Sequence, residues 1–286
     1  MWDIHNVRRF YAEEIRAVAN LRSEALVAAF AKVPREHFLG PGPWQISSPG
    51  MGDQEYRTTP DADPVHLYHN ILIAIDESRQ LNNGQPSFLA YCLEALELRE
   101  GERVLHIGCG VGYYTAIIAE TVGASGCVIG VEIDADLAAR SRENLAYLKQ
   151  AEVWHGDGAE YGPGECDAIF INAGVTHLKN IWLDSMRPGG RLLLYLTATF
   201  DPGNTGRGGV LLVKRIDHRY AAHFISQVGV YHCIGARDEE SNQRLIEAMK
   251  SGRLFEVKSL RREHHERDDS CLLHHSSFCL SSSPMQ

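Results

Sequence analysis

Short apolar runs and amphipathic segments alternate through the middle of the chain. The runs predict strands over residues 104–107, 127–133, 152–155, 167–172 and 191–197, and the segments predict helices over 113–122, 136–149 and 180–186. Strands that are apolar on both faces and alternate with helices are typical of a parallel sheet covered on both sides. Right-handed crossovers between such strands produce a doubly wound α/β fold.

The flanking regions follow other patterns. Ahead of the sheet, helical spacing predicts helices over 6–20, 23–32, 65–78 and 86–98. Residues 40–64 are rich in Gly, Pro, Ser and Asp and predict an irregular surface segment rather than a strand pair. Behind the sheet we expect a loop over 201–209, an antiparallel pair over 210–217 and 223–232, a helix over 238–251, and strands over 255–262 and 270–281. The predicted fold class is therefore α/β, with a doubly wound, mostly parallel sheet, N-terminal helices and a C-terminal antiparallel extension.

Composition narrows the class of protein. The 286 residues are 44% hydrophobic and 23% charged, which is ordinary for a globular chain and excludes a disordered or collagen-like one. The net charge of −9 argues against nucleic acid as a partner. No run of 18 apolar residues and no signal-peptide pattern occurs, so we expect a cytoplasmic protein without a membrane partner. The seven cysteines lack a CxxC pair and are expected to be reduced.

The strongest chemical signal is a glycine-rich turn between a strand and a helix. Gly108, Gly110 and Gly112 follow the strand at 104–107, and glycines there let the backbone approach a ligand closely. Glu132 ends the next strand, where an acid can accept hydrogen bonds from two ribose hydroxyls. To this point NAD and S-adenosylmethionine (SAM) fit equally well. The Gly-x-Gly-x-Gly spacing and Asp157, which can accept a bond from an adenine amino group, favour SAM.

Several segments resemble one family. They are Ala28–Phe38 (AAFAKVPREHF), Gln85–Leu98 (QPSFLAYCLEALEL), Val104–Thr115 (VLHIGCGVGYYT), His155–Gly158 (HGDG), Asp167–Gly174 (DAIFINAG) and the turn Arg187–Leu192. In this order the chain resembles the class I SAM-dependent methyltransferases, and within them the protein-L-isoaspartate O-methyltransferases. The resemblance implies a Rossmann-like fold with SAM as cofactor. It implies that the three glycines lie against SAM, that Glu132 binds the ribose, and that Asp157 and Gly158 lie at the adenine.

The cofactor-site prediction covers a wider set of positions around these motifs. Its members are Gly84, His106, Ile107, Gly108, Gly110, Gly112, Tyr113, Glu132, Asp157, Gly158 and Asn172. His106 replaces the Glu commonly seen before this glycine turn, and we interpret it as bonded to neighbouring backbone rather than catalytic. His155 and His177 lie near strand ends, where either is a candidate base.

The sequence departs from the family at one important place. A Ser stands two residues before Pro86 in the family's active site, and here that position is Gly84. This leaves the fold and cofactor predictions unchanged but leaves open whether isoaspartate is the methyl acceptor.

The chemistry of methyl transfer favours a carboxylate acceptor. A carboxylate is already ionised at pH 7, so it needs alignment and desolvation but no general base. The Asn/Asp-Pro-Pro-aromatic sequence of amino-directed methyltransferases is absent, and Asn172-Ala173-Gly174 stands there instead. Candidate groups that orient the acceptor are Asn82, Asn83, Gln85, Ser87 and Arg237. Arg237 can hold a carboxylate with two parallel bonds.

The C-terminal tail contains many side chains that can bind metals. They are His264, His265, Cys271, His274, His275 and Cys279. No regular ligand spacing connects them, so we predict a loop followed by an alternating strand and no metal site.

The main functional hypothesis is a SAM-dependent O-methyltransferase that acts on a carboxylate of a peptide, a protein or a small metabolite. The alternatives are an NAD-dependent oxidoreductase and a SAM-binding module without catalysis. The predicted organisation is an N-terminal helical and loop segment (1–80), a SAM-binding core (81–200) and a C-terminal extension (201–286) that completes the sheet and the acceptor site.

Overall fold

The computed structural model describes residues 3–48, 56–79, 81–200, 203 and 205–285. They form two compact units. Unit 1 comprises residues 1–102, 109–130 and 134–154, and unit 2 comprises residues 103–108, 131–133 and 155–286. Within the described ranges, no helix is both long and apolar enough to cross a bilayer.

The described residues of unit 1 form five α-helices. They are α1 (Ile4–Ala19), α2 (Glu24–Lys32), α3 (Pro86–Ala95), α4 (Tyr113–Val122) and α5 (Ala135–Leu145). The predicted helices over 6–20, 23–32, 86–98, 113–122 and 136–149 are confirmed. Ser23 caps α2 because its hydroxyl accepts the Leu26 N–H at 3.2 Å. Leu26 and Phe30 of this helix lie in the core.

A small antiparallel sheet in unit 1 corrects two predictions. Its strands are β1 (Gln45–Ser47), β2 (Arg57–Thr58), β3 (Leu72–Asp76) and β4 (Leu81–Asn82), in the order β2-β1-β3-β4. The irregular segment expected over 40–64 therefore includes the β1–β2 pair, although residues 49–55 lie outside the described ranges. The helix expected over 65–78 is wrong: a 3₁₀ turn (Pro64–Leu67) precedes β3. Tertiary burial decided this, since Ile46 and Ile73 pack into one apolar cluster with Trp44.

Unit 2 is built on a large sheet. Its strands include β5 (Arg103–Ile107), β8 (Cys166–Val175), β9 (Met186–Ala198), β10 (Thr205–Ile216), β11 (Arg219–Tyr231), β12 (Ser259–Arg261), β13 (Cys271–His274) and β14 (Cys279–Ser281). Their order is β13-β14-β12-β11-β10-β9-β8-β5. Strand β8 pairs in parallel with β5 and β9, and the pairs from β9 to β13 are antiparallel. The predicted α/β fold with a C-terminal antiparallel extension is confirmed.

Two further strands belong to both units. β6 (Cys127–Glu132) and β7 (Ala151–His155) each begin in unit 1 and end in unit 2. Unit 2 also contains the helices α6 (Asn180–Asp184) and α7 (Glu239–Lys250). Asp238 caps α7 because its carboxylate accepts the Ser241 N–H at 2.7 Å.

The C-terminal extension differs from the prediction at its start and at its end. β10 begins at Thr205, so part of the loop expected over 201–209 is strand, and residues 201, 202 and 204 lie outside the described ranges. The glycines there mark tight packing rather than a turn: a Cβ on Gly208 would lie 2.0 Å from the Leu196 carbonyl oxygen. The single strand expected over 270–281 is instead the β13–β14 hairpin, and that expected over 255–262 shortens to β12.

Candidate functional site

Unit 2 brings the carboxyl ends of neighbouring strands together. The Gly108 N–H, just after β5, donates to the Val131 carbonyl at 2.8 Å, and the Gly156 N–H, just after β7, donates to the Glu132 carbonyl at 2.9 Å. Gly108 has φ of +75°, and a Cβ on it would lie 3.3 Å from the Asn172 carbonyl oxygen of β8. The predicted residues Gly108, Glu132 and Asn172 therefore lie on adjacent strand ends, where open α/β sheets bind their ligands.

Glu132 is a buried acid at the end of β6, with only 7% of its surface exposed. A strand-end carboxylate can accept hydrogen bonds from the two vicinal hydroxyls of a ribose. The position therefore fits the ribose contact that the sequence predicts.

Asp157 follows β7 and has two differently placed oxygens. Oδ1 accepts the Ala159 N–H at 2.8 Å, so the carboxylate stabilises its own turn. Oδ2 lies against Gly235, where an added Cβ would come within 1.8 Å of it. Only a glycine at 235 permits this close approach, which brings the C-terminal extension against the end of β7.

Gly158 and Ile107 are in contact. A Cβ on Gly158 would lie 2.4 Å from the Ile107 Cγ2 atom, so no larger residue fits there without movement. The Gly158 carbonyl accepts the Trp182 indole N–H at 2.8 Å, which ties this turn to α6. The predicted adenine-side residue is thus held rigidly between a strand and a helix.

His106 and Asn172 are engaged within the sheet. His106 is fully buried in β5 and its ring stacks on Phe170, with 5.1 Å between centroids and 7° between planes. Burial lowers the pKa of His106 to about 3, so the ring is neutral at pH 7. The Asn172 Oδ1 atom accepts the Tyr195 hydroxyl at 3.2 Å. These contacts make His106 a packing residue, in line with the non-catalytic interpretation.

The remaining glycines of the turn lie in unit 1 and open α4. Gly112 has φ of +94°, and its N–H donates to the Cys109 carbonyl at 2.9 Å. A Cβ on Gly112 would lie 2.7 Å from the Ser141 hydroxyl oxygen. Gly110 has φ of +56°, and no atom of the described residues lies within 4 Å of its Cβ position. The backbone at Gly110 therefore faces open space, as a ligand-binding glycine requires.

Tyr113, the first residue of α4, is buried against other side chains of unit 1. Its ring packs edge-on against Phe38, with centroids 5.5 Å apart, and the Arg35 guanidinium lies 5.7 Å from its centroid. Burial raises the pKa of its hydroxyl well above the usual value. The structure thus gives Tyr113 a core contact with Arg35 that sequence reasoning missed.

Several polar groups of the predicted acceptor segment, residues 82–87, form hydrogen bonds with other protein atoms. The Gly84 N–H donates to Asn82 Oδ1 at 2.9 Å, and the Gly84 carbonyl accepts the Tyr114 hydroxyl at 3.3 Å. Asn83 mimics a strand neighbour: its Oδ1 accepts the Ile73 N–H at 3.1 Å and its own N–H donates to the Ile73 carbonyl at 3.0 Å. Asn82 and Asn83 therefore shape the segment.

Gln85 and Ser87 lie at the start of α3. Gln85 occupies the N-cap position without a side-chain capping bond, and its side chain is half-buried. Ser87 is buried, and its N–H donates to Asn70 Oδ1 at 3.0 Å. The sequence analysis missed Asn70 as an anchor of this segment, because it is distant in sequence and carries no motif.

Arg237 lies across the carboxyl ends of β8 and β9. Its Nη1 donates to the Gly174 carbonyl at 2.9 Å and to the Thr197 hydroxyl at 3.1 Å, and its Nη2 donates to the Thr199 hydroxyl at 2.8 Å. In the part of the chain that the structure describes, no carboxylate pairs with this guanidinium. Burial lowers its pKa from the ordinary arginine value. Arg237 is thus a half-buried cation held by neutral oxygens, with Thr197 and Thr199 as partners that the sequence did not reveal.

The two histidines considered as bases have different surroundings. His177 is buried beside Asp238, 3.1 Å from its carboxylate, and stacks on His275 with centroids 5.6 Å apart. Burial and Lys179 lower the pKa of His177 to about 4. His155 is exposed, and its Nε2 lies 3.2 Å from the Ile133 carbonyl oxygen. The Nδ1 atom of His177 also lies 3.1 Å from the Thr176 hydroxyl oxygen, whereas the contact of His155 is to a backbone carbonyl.

Comparison with known proteins identifies the family. The family model of protein-L-isoaspartate(D-aspartate) O-methyltransferase matches residues 11–201. Protein-L-isoaspartate O-methyltransferase 1 of Archaeoglobus fulgidus is 33% identical over 202 residues, which cover 69% of this chain and 82% of that protein. The Methanothrix thermoacetophila protein-L-isoaspartate O-methyltransferase is 31% identical over 227 residues, covering 76% of this chain and 94% of that protein.

Solved structures with low identity share the fold. A protein-L-isoaspartate O-methyltransferase superposes over 84% of this chain and 69% of its own, with a TM-score of 0.62 and 22% identity. A structure described as the Plasmodium falciparum protein-L-isoaspartate O-methyltransferase, in complex with S-adenosyl-L-homocysteine, covers 80% of this chain and 98% of its own, with a TM-score of 0.59 and 17% identity.

These findings confirm the main functional hypothesis over an NAD-dependent oxidoreductase or a non-catalytic module. They agree with the glycine turn and the strand-end acids found in the sheet. The chain belongs to the protein-L-isoaspartate(D-aspartate) O-methyltransferase family and is a methyltransferase that uses SAM as its cofactor.

Proposed function

We propose that this enzyme methylates a carboxylate of a peptide or protein, and that Arg237 binds that carboxylate. The observation that carries the proposal is the half-buried guanidinium at the ends of β8 and β9, held by three neutral oxygens. A guanidinium has five N–H donors, so donors remain for an incoming anion. A carboxylate offers the planar, two-oxygen geometry that Arg binds best.

The charge balance around Arg237 supports an anionic ligand. Partial burial of a cation costs free energy, and an ion partner recovers part of it. His177, near the same segment, is neutral at pH 7 because its pKa is lowered to about 4. Arg237 and Lys179 therefore supply the positive charge there, while Asp238 is engaged with Ser241 and His177.

We assign the cofactor contacts of unit 2 to four residues. Glu132 holds the ribose, the Oδ2 atom of Asp157 and the backbone of Gly158 hold the adenine, and Gly108 gives the backbone close approach. A buried strand-end acid and a glycine whose Cβ would meet the neighbouring strand fit this cofactor. The assignment of Gly84, Gly110, Gly112, Tyr113, His106, Ile107 and Asn172 to the same ligand stays a sequence-based prediction.

SAM, when bound, supplies an electrophilic methyl group on a sulfonium. The residues of this chain orient the partners and exclude water. The acceptor carboxylate is ionised at pH 7, so its oxygen would bond to the methyl carbon as the carbon–sulfur bond breaks and the neutral thioether leaves. No residue has to remove a proton. Alignment of the attacking oxygen about 3–3.5 Å from the methyl carbon provides the rate gain.

The choice of methyl acceptor depends on the change from Ser to Gly at position 84. The relatives are named for L-isoaspartate in proteins. Here Gly84 takes the place of the family's active-site Ser and adopts φ of +74°, a conformation that strains other residues. We therefore propose an aspartyl or isoaspartyl carboxylate in a peptide or protein, bound through Arg237 in the C-terminal extension 201–286. The structure pairs none of the seven cysteines in a disulfide, which supports the cytoplasm as its location.

The test uses labelled SAM and three peptides that differ only in one residue: isoaspartyl, aspartyl and asparaginyl. We expect base-labile methyl ester on one or both of the acidic peptides and none on the asparaginyl peptide. Arg237→Gln should raise KM for the acidic peptide about 10- to 100-fold, because a charge-assisted bond contributes roughly 1.5–3 kcal/mol. SAM affinity should be unchanged.

Arg244→Gln is the matched control, since Arg244 forms an exposed ion pair with Glu240 on α7. Equal KM values for the two variants would remove Arg237 from the acceptor site. Methylation of the asparaginyl peptide would overturn the carboxylate assignment itself.

Restoring the family's residue tests the role of Gly84. Gly84→Ser places a side chain where φ is +74° and where the Cβ would lie 3.0 Å from the Leu89 side chain. We expect the free energy of unfolding to fall by about 1 kcal/mol, without a gain in methylation of the isoaspartyl peptide. Urea unfolding measures the first effect, and a rise in isoaspartyl activity would show that Ser still functions here.

A further inference from the structure

Four side chains that are scattered through the C-terminal tail converge in the structure. His265, Cys271, His274 and Cys279 each offer one ligand atom, and these four atoms all lie within 4.8 Å of one another. The Cys271 Sγ atom is 3.4 Å from His265 Nε2. We propose that these four residues form a structural zinc site.

The distances suit a tetrahedral ion. Zinc bonds to sulfur at about 2.3 Å and to histidine nitrogen at about 2.0–2.1 Å, which sets ligand atoms about 3.3–3.8 Å apart at tetrahedral angles. The Cys271–His265 separation of 3.4 Å is already in that range. The widest pair needs to close by only about 1 Å to complete the tetrahedron.

A β-bulge places the ligands of the hairpin on one face. His274 and Cys279 are direct cross-strand partners, so their side chains share a face. Cys271 is three positions from His274, so in a regular strand its side chain would point to the opposite face. The pairing shifts between Cys271 and Leu273, with Leu272 as the extra residue, and the bulge turns Cys271 back.

The neighbouring groups orient the ligands as they do around bound metals. The Nδ1 atom of His265 lies 2.9 Å from the Glu263 carbonyl oxygen, a bond that requires the proton on Nδ1 and leaves the Nε2 lone pair facing Cys271. The Asp268 N–H donates to Cys271 Sγ at 3.4 Å. Among the described residues, nothing hydrogen-bonds to the buried Nδ1 atom of His274. A buried polar atom without a partner is rare, and it points to a group that completes the cluster.

The ligand set selects the metal and its role. Two thiolates and two neutral imidazoles balance the charge of a divalent ion, and sulfur ligands favour zinc over magnesium or calcium. Four protein ligands leave no open position, so the site is structural rather than catalytic. The sequence predicts no metal here because His-x₅-Cys-x₂-His-x₄-Cys lacks the paired spacing of common zinc motifs.

The position of the cluster gives the bound metal a structural role. The β13–β14 hairpin lies at one edge of the large sheet. His275, the residue after His274, stacks on His177, and His177 in turn contacts Asp238 at the start of α7. Metal binding would order this hairpin and brace the start of α7. We therefore expect the metal to stabilise the C-terminal extension.

The experiment measures metal in the full-length chain, purified without chelators and with thiols reduced. We expect about one zinc per chain by plasma mass spectrometry. Replacement by Co²⁺ should produce intense visible d–d bands of tetrahedral cobalt and a thiolate charge-transfer band. His265→Ala and Cys279→Ser should lose most of the metal, whereas His264→Ala and Cys127→Ser, outside the cluster, should keep it.

Three outcomes would overturn the proposal. The first is wild-type protein without zinc and without a tetrahedral cobalt spectrum. The second is an intact mass two hydrogens lower with no metal, which would indicate a Cys271–Cys279 disulfide. The third is equal metal content in His265→Ala and His264→Ala. Because the cobalt spectrum is recorded on wild-type protein, a variant that fails to fold does not obscure the result.

Discussion

The strand ends of β5 to β8 and the β13–β14 hairpin both collect polar side chains in unit 2, but by different means. At the strand ends, one glycine turn and the acids at the end of β6 and just after β7 form the predicted set, because parallel strands direct their carboxyl ends to one edge. In the hairpin, the cross-strand register and a bulge bring together residues from a loop and two strands. A site of the first kind can be identified from local motifs, whereas one of the second kind depends on register.

The largest effect should come from Glu132→Ala at the strand ends. Loss of charge-assisted bonds to two ribose hydroxyls should weaken SAM binding about 100- to 1000-fold, at roughly 1.5–2 kcal/mol per bond. Calorimetric titration with SAM measures it, with Glu152→Ala, an exposed acid of β7, as control. Unchanged affinity would mean that Glu132 does not bind the ribose. Zinc content should stay the same.

Cys279→Ser should produce the opposite pattern and so tests whether the two regions are independent. We expect the melting temperature to fall by about 5 °C, since roughly 2 kcal/mol shifts a chain of this size by several degrees. SAM affinity should change by less than about threefold, because distant sites contribute additively. Thermal scans measure the melting temperature, and titration of the same sample measures the SAM affinity. A parallel loss of SAM binding would show that the two regions are coupled.

Gly235→Ala examines the place where the C-terminal extension touches the strand ends. The new Cβ would lie 1.8 Å from Asp157 Oδ2, so the carboxylate or the segment must move. If Asp157 binds adenine, SAM affinity should fall about tenfold, the value of one hydrogen bond. Gly229→Ala is the control, since its nearest neighbour is 3.9 Å away. Equal affinities would separate Asp157 from the cofactor.

The smallest effect concerns His106 and appears only in acid. Its folded-state pKa of about 3 lies below the ordinary value of 6.5, so the unfolded chain binds more protons between these values. The free energy of unfolding should therefore drop as pH falls below 6.5, by about 2 kcal/mol at pH 5 for this residue. His106→Phe keeps the ring stacked on Phe170 and should lose that part of the pH dependence.

Urea unfolding at pH 7.5 and pH 5 measures this difference. His218→Ala, which removes an exposed histidine in the turn between β10 and β11, should retain the wild-type slope. A His106→Phe variant with the wild-type slope would contradict a neutral buried ring.

Sequence reasoning was most accurate where local and tertiary preferences agree. The helix at 113–122 and the strand at 104–107 appear almost at their predicted bounds, since both apolar faces are buried. It was wrong at 65–78, where packing of Ile73 decided in favour of a strand, and at 205–209, where glycines serve close strand contact. It also missed Thr197 and Thr199 beside Arg237, because hydroxyl partners carry no spacing signal.

By itself, the sequence determined the α/β fold, the family and the cofactor. Each of these depends on the spacing of hydrophobic residues and on motifs of a few adjacent residues. Such local patterns determine local structure directly. Only the tertiary structure decided that Arg237 lies among neutral oxygens and that four tail residues converge. Those arrangements depend on strand register and on one bulge, and a shift of a single residue would turn the same side chains to the other face.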